Sequence, residues 1–260
     1  MKDFTFEAYD RYLHAIKASY RNILTFGEFF EADPKPDHFC LIRHDVDRRP
    51  RKSLLIARLE YRLNIRTTFF FRAKKHVFRE EIIREIARMD HEIGYHYESL
   101  SDSRGDTSRA LEDFETQLAR FRKLAPIKSI AMHGRPLQPF DNRDLWRDPA
   151  RHRLLTERYD LLGEVYLDLD YANVAYINDT GRNWSAERSN LRDRVPSHIK
   201  PEFNDGDALH TYLNKDPYPR MIFQIHPERW SISLLDHAIS YSTDALFNGI
   251  KHLVFRARGS

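Results

Sequence analysis

Apolar runs and amphipathic segments alternate along most of this chain. The amphipathic segments repeat apolar residues every three or four positions and predict helices, whereas short runs that are apolar throughout predict strands buried on both faces. Helices are predicted at about 6–24, 53–63, 78–89, 107–124 and 234–256, and strands at 39–42, 67–71, 92–96, 127–132, 161–169, 171–177 and 221–225. This alternation predicts an α/β fold of parallel strands joined by right-handed crossovers.

The boundaries between these elements carry their own signals. Thr5 precedes the first apolar-periodic segment and is a predicted helix N-cap, and the sequence DPKPD at 33–37 is a clear break. The polar stretch 178–196 predicts a long loop, and a loop of that length in a compact domain is usually functional. No linker rich in Gly, Ser or Pro and no repeat interrupts the chain, so we expect one domain over residues 1–260.

Composition narrows the class of protein. The 260 residues include 42 Lys and Arg against 39 Asp and Glu, and the two signs alternate without a long block of either. A nucleic-acid-binding protein more often carries a basic stripe on one element, so we expect no nucleic-acid partner. We also expect a cytoplasmic protein without a membrane span, because the chain shows neither a signal-like apolar segment nor a spanning run. The single cysteine, Cys40, lies in an apolar run and is predicted to be buried.

Polar residues cluster where four of the predicted strands end. Because the carboxyl ends of parallel strands meet at one rim of a sheet or barrel, we expect the side chains that follow these strands to lie together. The four segments are Arg43-His44-Asp45-Val46-Asp47, His91-Glu92-Ile93-Gly94-Tyr95-His96-Tyr97-Glu98, Met132-His133-Gly134-Arg135-Pro136 and Gln224-Ile225-His226-Pro227.

Asp45 and Asp47 are two positions apart on an extended segment, so both point to the same side. Two adjacent carboxylates repel each other unless a cation or a proton relieves the repulsion. Asp47, His96 and His133 would supply one carboxylate and two imidazoles, a set that suits Zn²⁺ or another divalent first-row metal with a position left for water. The alternative is that the aspartates cap the helix beginning near Pro50 and the histidines are hydrogen-bonded structural residues.

Three further residues are candidates for proton transfer and substrate contact. His226 ends a late strand, where it would serve either as a general acid or as a structural histidine capped by a neighbouring backbone group. Asp179, in the long polar loop, could orient His226 or Arg135, and otherwise is a surface aspartate. Trp184 could form a wall of the pocket or stack on a sugar, and otherwise packs in the core.

On these motifs the chain resembles the polysaccharide deacetylase superfamily, that is, carbohydrate esterase family four and its relatives. The resemblance covers about 39–230 and is strongest in His44-Asp45-Val46-Asp47, Thr67-Thr68-Phe69-Phe70-Phe71 and His91-Glu92-Ile93-Gly94-Tyr95-His96. It implies a distorted, incomplete (β/α) barrel with the site at the carboxyl ends of the strands and with both terminal helices packed on it. It also implies that Asp45 is the base, that Asp47 and His96 bind metal, and that His226 is the acid.

The chain also departs from the pattern of that family. Many relatives carry a second ligand histidine four residues after the first, where this chain has Leu100, which cannot bind a metal. We expect His133 to replace it, with Glu98 as the alternative third ligand. The family places an arginine beside a proline in its third motif, which implies that Arg135 holds the base, and its fourth-motif aspartate matches Asp179 loosely.

Together these residues predict a metal-dependent hydrolase that removes an N-acetyl or similar N-acyl group from an amino sugar. The His-Asp-Val-Asp variant resembles sequences associated with the assembly of bacterial surface polysaccharides. The substrate would be a saccharide or a lipid-linked or nucleotide-linked sugar. Two alternatives stay open: a metal amidohydrolase acting on a non-sugar amide, and a catalytically inactive relative that binds carbohydrate or a partner protein.

Overall fold

Parallel strands form one curled sheet in the computed structural model, which describes residues 3–135, 138–184, 194–233 and 235–241. In chain order the strands are β1 (Ile23–Leu24), β2 (Phe39–Val46), β3 (Thr68–Phe71), β4 (Glu92–Tyr97), β5 (Ser129–Met132), β6 (Gly163–Glu164), β7 (Ala175–Asn178) and β8 (Arg220–Ile225). Their order across the sheet is β6-β5-β4-β3-β2-β8-β7, and β1 pairs with the first half of β2. The result is the expected distorted, incomplete (β/α) barrel, open between β6 and β7 in the described residues.

Helices occupy the connections between these strands. They are α1 (Phe6–Ser19), α2 (Phe26–Glu31), α3 (Pro50–Arg62), α4 (Glu80–Arg88), α5 (Ser99–Asp102), α6 (Thr107–Arg122), α7 (Pro149–Arg158) and α8 (Gly206–Lys215), followed by a helical segment at 235–241. Thr5 caps α1 as predicted, because its side chain accepts a hydrogen bond from the backbone N–H of Ala8. Within the described ranges, every helix is too short or too polar to cross a lipid bilayer.

The structure differs from the predicted elements mainly between β5 and β8. The predicted strand 161–169 is reduced to β6, and the strand predicted at 171–177 begins only at Ala175. Helices α7 and α8 were not predicted, and α7 has a weak periodic pattern because Leu155 is its one buried residue. The predicted helix 234–256 is observed at 235–241, and its remainder, like 185–193 of the predicted long loop, lies outside the described residues.

The two faces of β2 divide the core into two layers. Phe39 and Leu41 point into the barrel, where they join a buried cluster with Phe26 of α2 and Phe70 of β3. Cys40 and the residues alternating with it point outwards and pack against the helices. Because side chains alternate along a strand, the two residues that follow Leu41 on the inner face are Arg43 and Asp45. Along β2 the interior is therefore apolar at the amino end and charged at the carboxyl end.

Candidate active site

Asp47, His96 and His133 come together at the carboxyl ends of β2, β4 and β5. One possible ligand atom from each of the three lies within 4.8 Å of the other two. The Nε2 atoms of His96 and His133 are 3.6 Å and 3.4 Å from Oδ1 of Asp47. The three strand ends thus gather the three residues that the sequence predicted as metal ligands.

Hydrogen bonds fix the orientation of both imidazole rings. Nδ1 of His96 lies 2.9 Å from the carbonyl oxygen of Ala131, and Nδ1 of His133 lies 3.2 Å from Oε2 of Glu98. Each Nδ1 therefore donates to an acceptor behind the ring, which leaves Nε2 available towards Asp47. Glu98, the alternative third ligand, lies behind the His133 ring, and its two oxygens also receive hydrogen bonds from Arg72.

This set of donor atoms fits a divalent metal ion. Oδ1 of Asp47 is buried and has no hydrogen-bond partner among the described residues, which is costly for a carboxylate oxygen unless a ligand completes it. With metal–ligand distances near 2.1 Å, neighbouring ligands of a tetrahedral zinc ion lie about 3.4 Å apart. The separations of 3.4 Å and 3.6 Å from Oδ1 of Asp47 match that spacing.

The pKa values of Asp47, His96 and His133 depend on the charges of their neighbours. Burial raises the pKa of Asp47, but His133, His96 and Arg72 outweigh it and hold that pKa well below its usual range. Burial lowers the pKa of His133, yet Asp47 and Glu98 raise it to about 9. Burial lowers the pKa of His96, only partly opposed by Asp45 and Asp47. Without metal, His133 carries a proton that a metal ion would displace.

Asp45 lies beside this group and is held by two side chains. Arg43 donates two hydrogen bonds to its carboxylate, and Gln224 of β8 donates a third, to Oδ2 at 2.6 Å. Tyr176 in turn donates to the amide oxygen of Gln224. Burial raises the pKa of Asp45, but Arg43, His96 and His226 lower it overall, so the carboxylate is ionised near neutral pH.

The family pattern implied that Arg135 holds Asp45, but in this chain Arg135 contacts other carboxylates. It donates to Asp102 at 2.6 Å, and its Nε lies 3.5 Å from Oε2 of Glu98. The arginine that holds Asp45 is Arg43, two residues earlier on the same strand. Strand alternation placed Arg43 on the same face as Asp45, so the period-two pattern could have indicated this contact from sequence.

His226 and Asp179 form a buried pair at the ends of β8 and β7. Nδ1 of His226 lies 2.6 Å from Oδ1 of Asp179, and the backbone N–H of His226 donates to Oδ2 at 2.9 Å. Arg229 and Trp230 donate to the same carboxylate. Burial and Arg229 lower the pKa of His226, but Asp179 raises it above its usual value. The expected contact between Asp179 and His226 is therefore present, and it favours a protonated imidazole.

Two further residues near these elements bear on the sequence reasoning. Trp184 lies in the core, where its ring stacks on Phe4 at 5.1 Å and on Phe223 at 5.8 Å, so the structural reading of this tryptophan applies. Glu228, which the sequence did not single out, is buried two residues after His226. Burial and the carboxylate of Asp47 raise the pKa of Glu228, and His226 and Arg48 oppose them.

The fold and these side chains define a parallel, incomplete (β/α) barrel with a candidate metal centre, the separate carboxylate of Asp45 and the buried pair of His226 and Asp179. The structure is similar to the Xyl-CE4 domain of a multidomain xylanase from the hindgut metagenome of Trinervitermes trinervoides, with 12% sequence identity and a TM-score of 0.39 over 86% of this chain and 92% of that one. No protein-family model and no curated protein sequence matches the chain. The roles of individual residues therefore rest on the geometry of this chain.

Proposed function

We propose that this chain is a metal-dependent hydrolase that removes an N-acetyl or similar N-acyl group from an amino sugar. The observation that carries the proposal is the placement of Asp47, His96 and His133 around one point, with the separate carboxylate of Asp45 beside them. A ligand set next to an ionised carboxylate that is not part of it is what hydrolysis of an amide by water requires.

Asp47, His96 and His133 would hold the metal, with Zn²⁺ or another divalent first-row ion as the cofactor. An ion held there would supply positive charge to polarise the amide carbonyl and to stabilise the negative charge that develops on its oxygen. The hydrogen bonds from the rings to Ala131 and Glu98 keep both Nε2 atoms turned to the site.

Asp45 is the general base that removes a proton from the attacking water. It must be ionised to do so, and Arg43 and Gln224 stabilise that form and hold the carboxylate still. Oδ2 of Asp45 is 3.4 Å from Nε2 of His96, so the base is adjacent to the metal ligands. General base catalysis of this kind contributes roughly a hundredfold to ten-thousandfold in rate.

His226 is the general acid that protonates the leaving amine. Asp179 keeps its Nδ1 engaged, so Nε2 is the atom that delivers the proton. Because Asp179 raises the pKa of His226, the imidazole is protonated over more of the neutral range than a free histidine. The products are a carboxylic acid, acetate for an N-acetyl group, and a free amino sugar.

The substrate assignment draws on the resemblance of the motifs to polysaccharide deacetylases. We propose a cytoplasmic reaction on a saccharide or on a lipid-linked or nucleotide-linked precursor of a surface polysaccharide. The rival activities are hydrolysis of a non-sugar amide and, without catalysis, binding of carbohydrate or a partner protein.

The test combines metal analysis with acetate release. The purified protein is expected to bind one zinc ion and to release acetate from N-acetyl amino sugars in preference to simple amides. Asp45→Asn is expected to lose at least a hundredfold in kcat while still binding zinc, because Asp45 is not a ligand. Asp216→Asn, at an exposed position, is the control. Zinc binding without acetate release from any N-acetyl sugar, or full activity in Asp45→Asn, would contradict the proposal.

A further inference from the structure

The C-terminal segment, residues 232–233 and 235–241, carries four of the six large apolar side chains that are exposed among the described residues. The most accessible of them is Leu235, which is 73% exposed. The four in this segment are Ile232, Leu235, Ile239 and Tyr241, and the other two are Tyr61 on α3 and Leu154 on α7. Single exposed apolar residues are ordinary, whereas a group of them marks a surface that a partner covers.

The polar side of this helical segment, and not its apolar side, faces the rest of the protein. Nζ of Lys52 lies 2.7 Å from Oδ2 of Asp236, and Nη1 of Arg49 donates to the hydroxyl oxygen of Ser240 at 3.1 Å. Asp236 and Ser240 are four residues apart and therefore share one side of the helix. An amphipathic surface helix normally buries its apolar side. Here polar contacts hold the helix with Leu235 and its apolar neighbours towards solvent.

Exposed arginines lie beside the C-terminal segment, while the carboxylates near them are largely buried. The side chains of Arg48 and Arg49 are 31% and 41% exposed, and Arg51 is exposed as well. The carboxylates that face the first two, Glu228 and Asp236, are only 4% and 18% exposed. The charge that these residues present to solvent is therefore positive. Apolar side chains next to exposed cationic ones are typical of surfaces that bind anionic membranes.

The C-terminal segment is attached to the end of the barrel that carries the candidate metal centre. Its contacts Arg49 and Lys52 follow Asp47 directly after the carboxyl end of β2. The segment itself follows His226 and the short turn after the carboxyl end of β8. A surface that binds this segment therefore lies on the same side of the barrel as the strand ends that form the candidate site.

We propose that the C-terminal segment and the arginines beside it dock this protein on the surface of an anionic lipid bilayer. Ile232, Leu235 and Tyr241 enter the boundary between headgroups and acyl chains, and the arginines attract the lipid phosphates. A closed dimer through this face would bring its cationic rim against an identical one, so charge favours the bilayer over a second copy of the chain. Within the proposed function, docking here favours a lipid-linked amino sugar as substrate, and only that step rests on the proposed function.

The experiment is co-sedimentation of the purified full chain with lipid vesicles in the absence of substrate, so its outcome does not depend on the proposed function. One set of vesicles contains equal parts of phosphatidylglycerol and phosphatidylcholine, and the other contains phosphatidylcholine alone. The double variant Ile232→Ser with Leu235→Ser removes two exposed apolar side chains and leaves the polar contacts of the segment in place. The matched control, Tyr61→Ser with Leu154→Ser, removes two exposed apolar side chains elsewhere on the surface.

The wild type and the control are expected to bind the anionic vesicles roughly tenfold or more tightly than the neutral ones, because each arginine near an anionic surface contributes about fivefold. The double variant is expected to bind the anionic vesicles roughly tenfold or more weakly than the wild type, since it loses two apolar side chains that the bilayer would bury. Its melting temperature is expected to match that of the control.

The inference is overturned if the wild type does not sediment with the anionic vesicles, or if the double variant and the control bind them equally well. Equal binding of the wild type to both kinds of vesicle also overturns it, because the arginines then have no role. A dimer in light scattering that the double variant abolishes would assign this face to a second copy of the chain. A double variant that melts well below the control would assign it to a covering segment of the chain itself. Both outcomes exclude docking on lipid through this face.

Discussion

Arg43 and Asp45, two residues apart on β2, are joined by a pair of hydrogen bonds: Nε to Oδ1 at 2.7 Å and Nη2 to Oδ2 at 2.9 Å. Both side chains are buried inside the barrel. A guanidinium group that binds both oxygens of a carboxylate fixes its position and its charge together. The strand that supplies the proposed base therefore also supplies the group that holds it.

Arg43→Lys is expected to raise the pKa of Asp45, because an ammonium group cannot make both hydrogen bonds and attracts the carboxylate less effectively. The acid limb of kcat/KM is expected to move to higher pH by on the order of one unit. The pH–rate profile and the carbon NMR shift of the Asp45 carboxyl group measure this change. Arg135→Lys is the matched control and should leave the limb in place; a shift in Arg135→Lys alone would assign the role to Arg135.

Glu98→Gln is expected to weaken zinc binding tenfold to a hundredfold without removing a ligand. The reason is that Glu98 accepts from Nδ1 of His133 and so orients the ring and increases its basicity. Competition with a coloured chelator gives the affinity, and Glu85→Gln, a partly exposed change on α4, serves as control. If the two variants bind zinc equally well, Glu98 does not support the ligand.

Zinc binding at pH 7.5 is expected to release about one proton per ion from His133. The pKa of about 9 means that this histidine is protonated in the metal-free protein, whereas a ligand imidazole must be neutral. Calorimetric titrations in buffers with different ionisation enthalpies count the protons. His133→Ala should release fewer; an equal release in both proteins would point to another group.

The same shift predicts how the stability of the metal-free protein depends on pH. A histidine whose pKa is raised from 6.5 to about 9 stabilises the fold fully below pH 6.5, and this contribution is lost as the pH rises through 9. The expected loss in the free energy of unfolding is on the order of 3 kcal/mol. Urea denaturation between pH 6 and pH 10 tests it. A flat profile over that range, or the same slope in His133→Ala, would contradict the assignment.

Asp179→Asn is expected to move the alkaline limb of kcat to lower pH. The carboxylate of Asp179 raises the pKa of His226, so its neutralisation lets the proposed acid lose its proton earlier. The pH–rate profile is the measurement, and Asp216→Asn at an exposed position is the control. An unchanged alkaline limb with reduced overall activity would mean that Asp179 only supports the local structure.

The sequence predicted the parts of the fold that bury regular apolar patterns. Strands such as β2 and β4 were predicted because they are short runs that are buried almost throughout, and helices such as α6 because their buried positions recur at helix spacing. Helix α7 buries only Leu155 of its ten residues and gave no such pattern. The strand predicted at 161–169 failed for the opposite reason, since most of this segment is apolar yet forms turns after the two residues of β6.

For the site, the sequence was a better guide to which residues lie close together than to which side chains form hydrogen bonds with each other. Asp47, His96 and His133 follow three strands, and the topology alone brings them to one rim. The partner of Asp45 depends on side-chain reach across the barrel, and the family pattern pointed to Arg135 rather than Arg43. Glu228 had no sequence signal, because its distinguishing property is a buried oxygen for which the described residues supply no donor.

The alternation along β2 continues to the outer face, where His44 lies between Arg43 and Asp45 in sequence and its Nε2 is 2.8 Å from Glu60 of α3. The inner face of β2 thus carries the pair of Arg43 and Asp45, and on the outer face His44 pairs with Glu60. Sliding β2 by a single residue would turn Arg43 and Asp45 towards the helices and separate His44 from Glu60, a mismatch far larger than that of a wholly apolar strand. Ionisable pairs on both faces of β2 therefore help to specify the register of the strand that carries the proposed base.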